Sequence, residues 1–107
     1  MAGFRFIKGR WLIEKGLLSE LDYGIQLRRW LTDGDGLGTS SQAVWTVGGG
    51  VEKVSAEVVR DPARGPIAYV KIKGGGPAGS VGWARCVWTT DQGRVDQCTL
   101  YFEIKDR

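Results

Sequence analysis

Apolar side chains along this chain recur at every second position far more often than at helical spacing. Residues 21–27 read Leu-Asp-Tyr-Gly-Ile-Gln-Leu, with Tyr23, Ile25 and Leu27 on one side and Asp22, Gly24 and Gln26 on the other. That is the period of a half-buried strand. Arg28-Arg29-Trp30-Leu31 breaks the alternation. It resumes over residues 42–47 with Ala43, Trp45 and Val47 on one face, over 51–60 with Val54, Ala56 and Val58 inward, and over 66–73 with Ala68, Val70 and Ile72 inward. Residues 32–41, Gly48-Gly49-Gly50 and Gly74-Gly75-Gly76-Pro77 punctuate these runs, because glycine accepts positive φ and Asp or Ser side chains satisfy local backbone groups. Ahead of residue 21 the pattern is less regular. Phe4, Phe6 and Trp11 fit a short opening strand or extended arm, and residues 13–20 read as a helical turn or a loop.

The strongest local signal is a closing hairpin. Residues 81–90 and 94–105 flank Asp91-Gln92-Gly93, a three-residue loop with glycine at the left-handed position. With Thr90 facing Arg94, Cys86 lies opposite Cys98 and Ala84 opposite Leu100. One face then carries Ala84, Cys86, Trp88, Cys98, Leu100, Phe102 and Ile104, so turn geometry and apolar pattern agree on the register. Asp96 falls opposite Trp88 on that face, which suits the sandwich end, bonded to turn amides or to Arg94. The other face carries Val81, Trp83, Arg85, Val87, Val95, Gln97, Thr99, Tyr101 and Glu103. Trp83, Val87, Val95 and Tyr101 there form an apolar patch of the kind that marks a contact site. Two plainer readings stand beside it: ordinary scattered apolar residues, or coverage by the arm carrying Phe4, Phe6 and Trp11.

Short strands at roughly 8 to 12 residue spacing, without α/β alternation or internal repeat, predict an all-β antiparallel sandwich or small barrel of about seven strands. The division expected is an N-terminal arm or first strand over residues 1–20 and a sandwich domain over 21–107. The chain's 107 residues suffice for one packed core. No stretch approaches the ~20 apolar residues of a membrane span, and residues 1–8 lack a signal-peptide core, so a soluble protein without a signal peptide is expected.

Composition narrows the chemistry. Histidine is absent, which removes the usual proton shuttle and a common zinc ligand. Cys86 and Cys98 are the only thiols, too few for a disulfide-dense scaffold or a four-thiolate zinc site. They are close enough in the predicted register to bridge, but reduced thiols acting as small apolar residues are the reading favoured. Gly34-Asp35-Gly36-Leu37-Gly38 lacks the spacing of a nucleotide-binding loop and has no Walker lysine. Asp33 and Asp35 lack the further acidic ligands of a calcium loop. Glu14, Glu20, Asp22, Glu52 and Glu57 form no acid–base pair. No catalytic residue, cofactor site or metal site is expected, and the chain is not read as an enzyme. The net charge of +3 comes from scattered basic residues, which permit nucleic-acid contact without demanding it.

Leu21-Asp22-Tyr23-Gly24-Ile25, Trp30-Leu31, Trp45-Thr46-Val47 and Thr89-Thr90-Asp91-Gln92-Gly93-Arg94-Val95-Asp96, followed by the strand over 100–104, resemble a family of small tailed-bacteriophage virion proteins, the fibre-tail adaptors. The likeness spans about residues 21–104. It implies an immunoglobulin-like sandwich in the virion tail, assembled in the host bacterial cytoplasm and joining tail fibres to the tail tube or its adaptor ring as a homo-oligomer in a symmetric ring. The chain departs from the family pattern over residues 10–20, where a shorter acidic, proline-bearing segment is usual, and at Cys86 and Cys98, where polar residues are. The interface residues expected are Phe4, Phe6, Trp11, Trp83, Val87, Val95 and Tyr101, with no membrane partner. Two alternatives remain at this level: an OB-like single-strand nucleic-acid binder, in which Trp and Tyr stack bases, and a capsid decoration protein.

Overall fold

The period-two segments become strands that bury their apolar face. A computed structural model describes residues 5–7, 9–31 and 34–106. Its strands are β1 (Arg5–Ile7), β2 (Arg10–Gly16), β3 (Glu20–Gln26), β4 (Ala43–Gly48), β5 (Val51–Asp61), β6 (Gly65–Gly74), β7 (Val81–Thr89) and β8 (Val95–Lys105). They form a five-stranded sheet in the order β1-β2-β8-β7-β4 and a three-stranded sheet in the order β3-β6-β5. Tyr23, Ile25, Val70 and Ile72 from the smaller sheet meet Trp45, Ala84, Cys86, Trp88, Leu100, Phe102 and Ile104 from the larger one in one core. Tyr23 and Phe102 pack ring to ring at 4.8 Å. This is an all-β, two-layer sandwich.

The closing hairpin has the register its turn dictates. Cys86 pairs with Cys98, Ala84 with Leu100 and Trp88 with Asp96, and Gly93 takes the left-handed conformation at φ 82°. Both cysteines are free thiols. Asp96 is exposed and accepts the Gln97 N–H at 2.8 Å, while Arg94 turns to Asp35 instead.

Several expectations need correction. Residues 13–20 are neither helical nor simply loop: β2 runs to Gly16, and β3 begins at Glu20 after a short turn closed by Ser19 N–H to Gly16 O. The arm does not fold over the outer face. It extends the larger sheet, with β1 antiparallel to β2 and β2 parallel to β8. That makes one pairing of the otherwise antiparallel architecture parallel. In β5, Val58 is buried, but Val54 and Ala56 are exposed. The register slips between Lys53 and Ser55, leaving Val54 without a cross-strand partner and setting Lys53 opposite Ile72, where its ammonium donates to Trp45 O at 3.4 Å. β5 is also an edge strand, so Ala56 stands at the rim of the core. Val51 is buried in their place. Two separate sheets of five and three strands among the described residues also differ from the single five-stranded barrel that the OB-like reading requires.

Arg28-Arg29-Trp30, where the alternation stops, belong to a 3-10 turn over Leu27–Trp30 whose Leu27 is fully buried. Its Trp30 packs on Trp88 at 5.6 Å between ring centroids. One core-facing side chain is a cation. Lys15, opposite Ile104, has no solvent exposure, and its ammonium donates to the carbonyls of Gly16 (3.0 Å), Ser19 (2.8 Å) and Gly74 (2.5 Å). Burial lowers its pKa.

Candidate functional site

The strand registers sort the expected interface residues onto two surfaces. Trp83, Val87, Val95 and Tyr101 stand on the outer face of the larger sheet, on the pleat opposite Ala84, Cys86 and Leu100. Phe6 and Trp11 do not. Trp11 pairs with Leu100 and Phe6 with Trp11, so both lie on the core side, where β1 and β2 run past the smaller sheet. Phe4 lies outside the described residues.

The outer face is divided. Trp83 and Tyr101 are direct cross-strand neighbours, with Leu12 next to Tyr101 and Gly48 next to Trp83. The indole lies so close over Gly48 that a Cβ added there would sit 2.5 Å from its Cζ2. Guanidinium groups cover both rings, Arg85 at 5.2 Å from the Trp83 centroid and Arg10 at 4.9 Å from that of Tyr101, which suits the negative ring faces. The row Thr46, Arg85 and Thr99 follows, with Arg85 Nε donating to Thr99 Oγ1 at 3.3 Å. Beyond it come Val44 beside Val87, and then Val95, the most exposed at 65%. The apolar residues expected to form one patch are thus two clusters flanking a polar row.

The core-side pair opens onto a cleft. Phe6 stacks on Trp11 at 4.8 Å, and Arg29 stands over both Trp11 (5.9 Å) and Trp30 (5.2 Å). Trp11, Arg29 and Trp30, with Gly24, Ile25 and Gln26 of β3 and with Cys98 and Leu100 of β8, line a cavity of about 220 Å³. Burial raises the Cys98 thiol pKa and the Asp96 carboxylate adds to the effect, while the Arg29 guanidinium opposes it. Cys86, with no solvent exposure, is pushed up to about 12 by burial and by the neighbouring Cys98.

At one end of the sandwich, the segment that carries the family likeness forms a polar clamp. Asp35 accepts the backbone N–H groups of Gly36 (2.9 Å) and Gln92 (3.1 Å) and lies 3.5 Å from Arg94 Nη1. Asp91 accepts from Gly38 N (3.0 Å) and Gln42 Nε2 (3.0 Å). Desolvation alone would raise Asp35, but the Thr90 hydroxyl, the two backbone amides and Arg94 outweigh it and hold its pKa below the ordinary value. Leu37, within the glycine loop, is pinned beneath this clamp and buried. These carboxylates are occupied by the protein's own donors, and no group of three or more Cys, Asp or Glu among the described residues is placed to hold a metal ion.

A family model, described as podophage GP4 fiber-tail adaptor protein gp77, matches residues 15–103. The chain belongs to this family. It is therefore a structural component of a phage virion, and the adaptor's neighbours are other virion proteins. The match begins at Lys15, so Phe6 and Trp11 lie ahead of the span that defines the adaptor family. No curated protein and no solved structure matches the chain.

Three residues of this adaptor-family chain escaped sequence reasoning. Arg29 looked only like an interruption and Trp30 entered only as part of the family likeness, although an Arg-Trp pair closing a strand is itself a signal for cation–π stacking. Lys15 would have been noticed had residues 11–15 been read as a strand, since Trp11 and Ile13 place it on the buried side.

Proposed function

We propose that this adaptor is an immunoglobulin-like connector that joins tail fibres to the tail tube or its adaptor ring, in repeated copies around the tail axis. Residues 21–107 form most of the body, and residues 1–20, whose β1 and β2 extend its larger sheet, carry the docking side chains. Phe4, Phe6 and Trp11 grip one neighbour, and Trp83, Val87, Val95 and Tyr101 face another, with assembly in the host bacterial cytoplasm. The observation that carries this reading is the outer face of the larger sheet. It sets large apolar side chains on rigid strands, including Val44 and Val95, each more than half exposed. Apolar groups held in water on a stiff scaffold favour burial against a partner surface.

The test is substitution at exposed positions that leave the core intact. Val95→Glu and Val44→Glu are expected to fold with unchanged thermal midpoints, while purified particles lose fibres or the adaptor itself. Particles carrying both in normal amounts would remove this face from the assembly.

A further inference from the structure

Among the described residues the larger sheet has five strands and the smaller three, so the smaller sheet offers no strand opposite the edge where β1 and β2 extend past β3. Three features meet at this edge. The free edge of β3 has no strand beside it among the described residues, leaving backbone groups available for strand addition. The cavity of about 220 Å³ has an apolar floor of Leu100 and Cys98 between the walls Trp11 and Trp30. Dry cavities of roughly 150 Å³ already accept a benzene ring. Among the described residues Arg29 is the one charged side chain lining it, and it makes no ion pair with them; Asp96 bonds the Gln97 amide instead. The guanidinium lies over two indoles, which engage its charge and leave its N–H groups for a planar acceptor.

We propose that this cleft is a docking site for an extended, acidic segment of another virion protein, which adds to the β3 edge, inserts an aromatic side chain between Trp11 and Trp30 and sets a carboxylate on Arg29. Charge selects against a second copy of this chain's own opening segment, whose Arg5, Lys8 and Arg10 are all basic. The proposal rests on the adaptor reading only for the source of the partner. The chemistry of the cleft stands on its geometry.

The probes are two blocked hexapeptides, alternating Glu-Phe and alternating Lys-Phe, titrated into the full chain by tryptophan fluorescence, with alkylation of Cys98 as the footprint. The Glu-Phe peptide is expected to bind more tightly, to weaken with salt and to slow Cys98 labelling. Arg29→Gln should weaken it about fivefold, the scale of one exposed ion pair, and Arg29→Glu should reverse the preference. Arg29 is exposed, so both variants are expected to fold. Equal binding of the two peptides, binding of neither, or binding that leaves Cys98 labelling unchanged overturns the proposal. So does self-association that protects Cys98, which would make a second copy the occupant. Purified phage particles separate the two readings. Particles that contain the adaptor and carry fibres normally with Arg29→Glu refute the cleft alone, whereas particles lacking this chain refute the adaptor reading.

Discussion

Replacing Lys15 by methionine keeps the aliphatic stem in the core and removes only the ammonium, so it isolates what the carbonyl cage contributes. Three carbonyls lose a donor, but Gly16 O retains the Ser19 N–H (3.1 Å) and Ser19 Oγ (3.0 Å). The carbonyls of Ser19 and Gly74 bear the loss, each orphaned acceptor costing about 1–3 kcal/mol. Release of a desolvated cation offsets part of that, leaving a net destabilisation of about 2–3 kcal/mol. In a domain of this size that lowers the thermal midpoint by roughly 10–20 °C. Urea denaturation should show a lower midpoint with an unchanged slope. The pH dependence gives a second handle. Because burial lowers the folded-state pKa of Lys15, the unfolded chain binds more protons between that value and the unperturbed lysine value. Parent stability therefore rises relative to Lys15→Met as pH climbs through this window. A methionine variant as stable as the parent at neutral pH would refute the claim that the cage ties the β2–β3 turn to the end of β6.

Gly49→Ala should destabilise by at least about 3 kcal/mol, since φ is +69° and the new Cβ would sit 2.5 Å from Val81 O and 2.7 Å from Gly82 Cα; thermal melts check this. Asp35→Asn should destabilise at neutral pH, with the gap closing as pH falls. The folded-state pKa of Asp35 is depressed, so its contribution is complete above the unfolded carboxylate value and is lost as pH drops through the folded one. Denaturation midpoints of both proteins across the acid range test the sign. In an alkylation time course at alkaline pH followed by mass spectrometry, half-buried Cys98 should react while Cys86, pushed up to about 12 and without exposure, waits for unfolding. Equal rates would contradict the burial of Cys86.

The closing hairpin was legible because two independent constraints coincide there: an Asp91-Gln92-Gly93 turn with one low-strain geometry and an alternation that tolerates only one register. β3, β4 and β6 were legible for the second reason alone. β5 was misread at Val54 and Ala56 because alternation states which residues share a face. It does not state whether a neighbouring layer covers them. The candidate site shows the same division. Trp83, Val87, Val95 and Tyr101 were assigned to one outer face correctly, yet their separation by the Thr46-Arg85-Thr99 row depends on β4 lying beside β7.

What the sequence by itself determined is local: which segments extend, which face of each is apolar, where the chain turns and how β7 meets β8. These follow from side-chain period and turn sterics, which act over a few residues. The tertiary structure alone decided that β2 joins β8 in parallel across more than eighty residues, that Lys15 finds three carbonyls in the core, and that Trp11, Arg29, Trp30 and Cys98 converge on one cleft. Such meetings depend on how separate strands are ordered into sheets. The ordering is selected by the burial of the whole core and leaves no mark in any single strand.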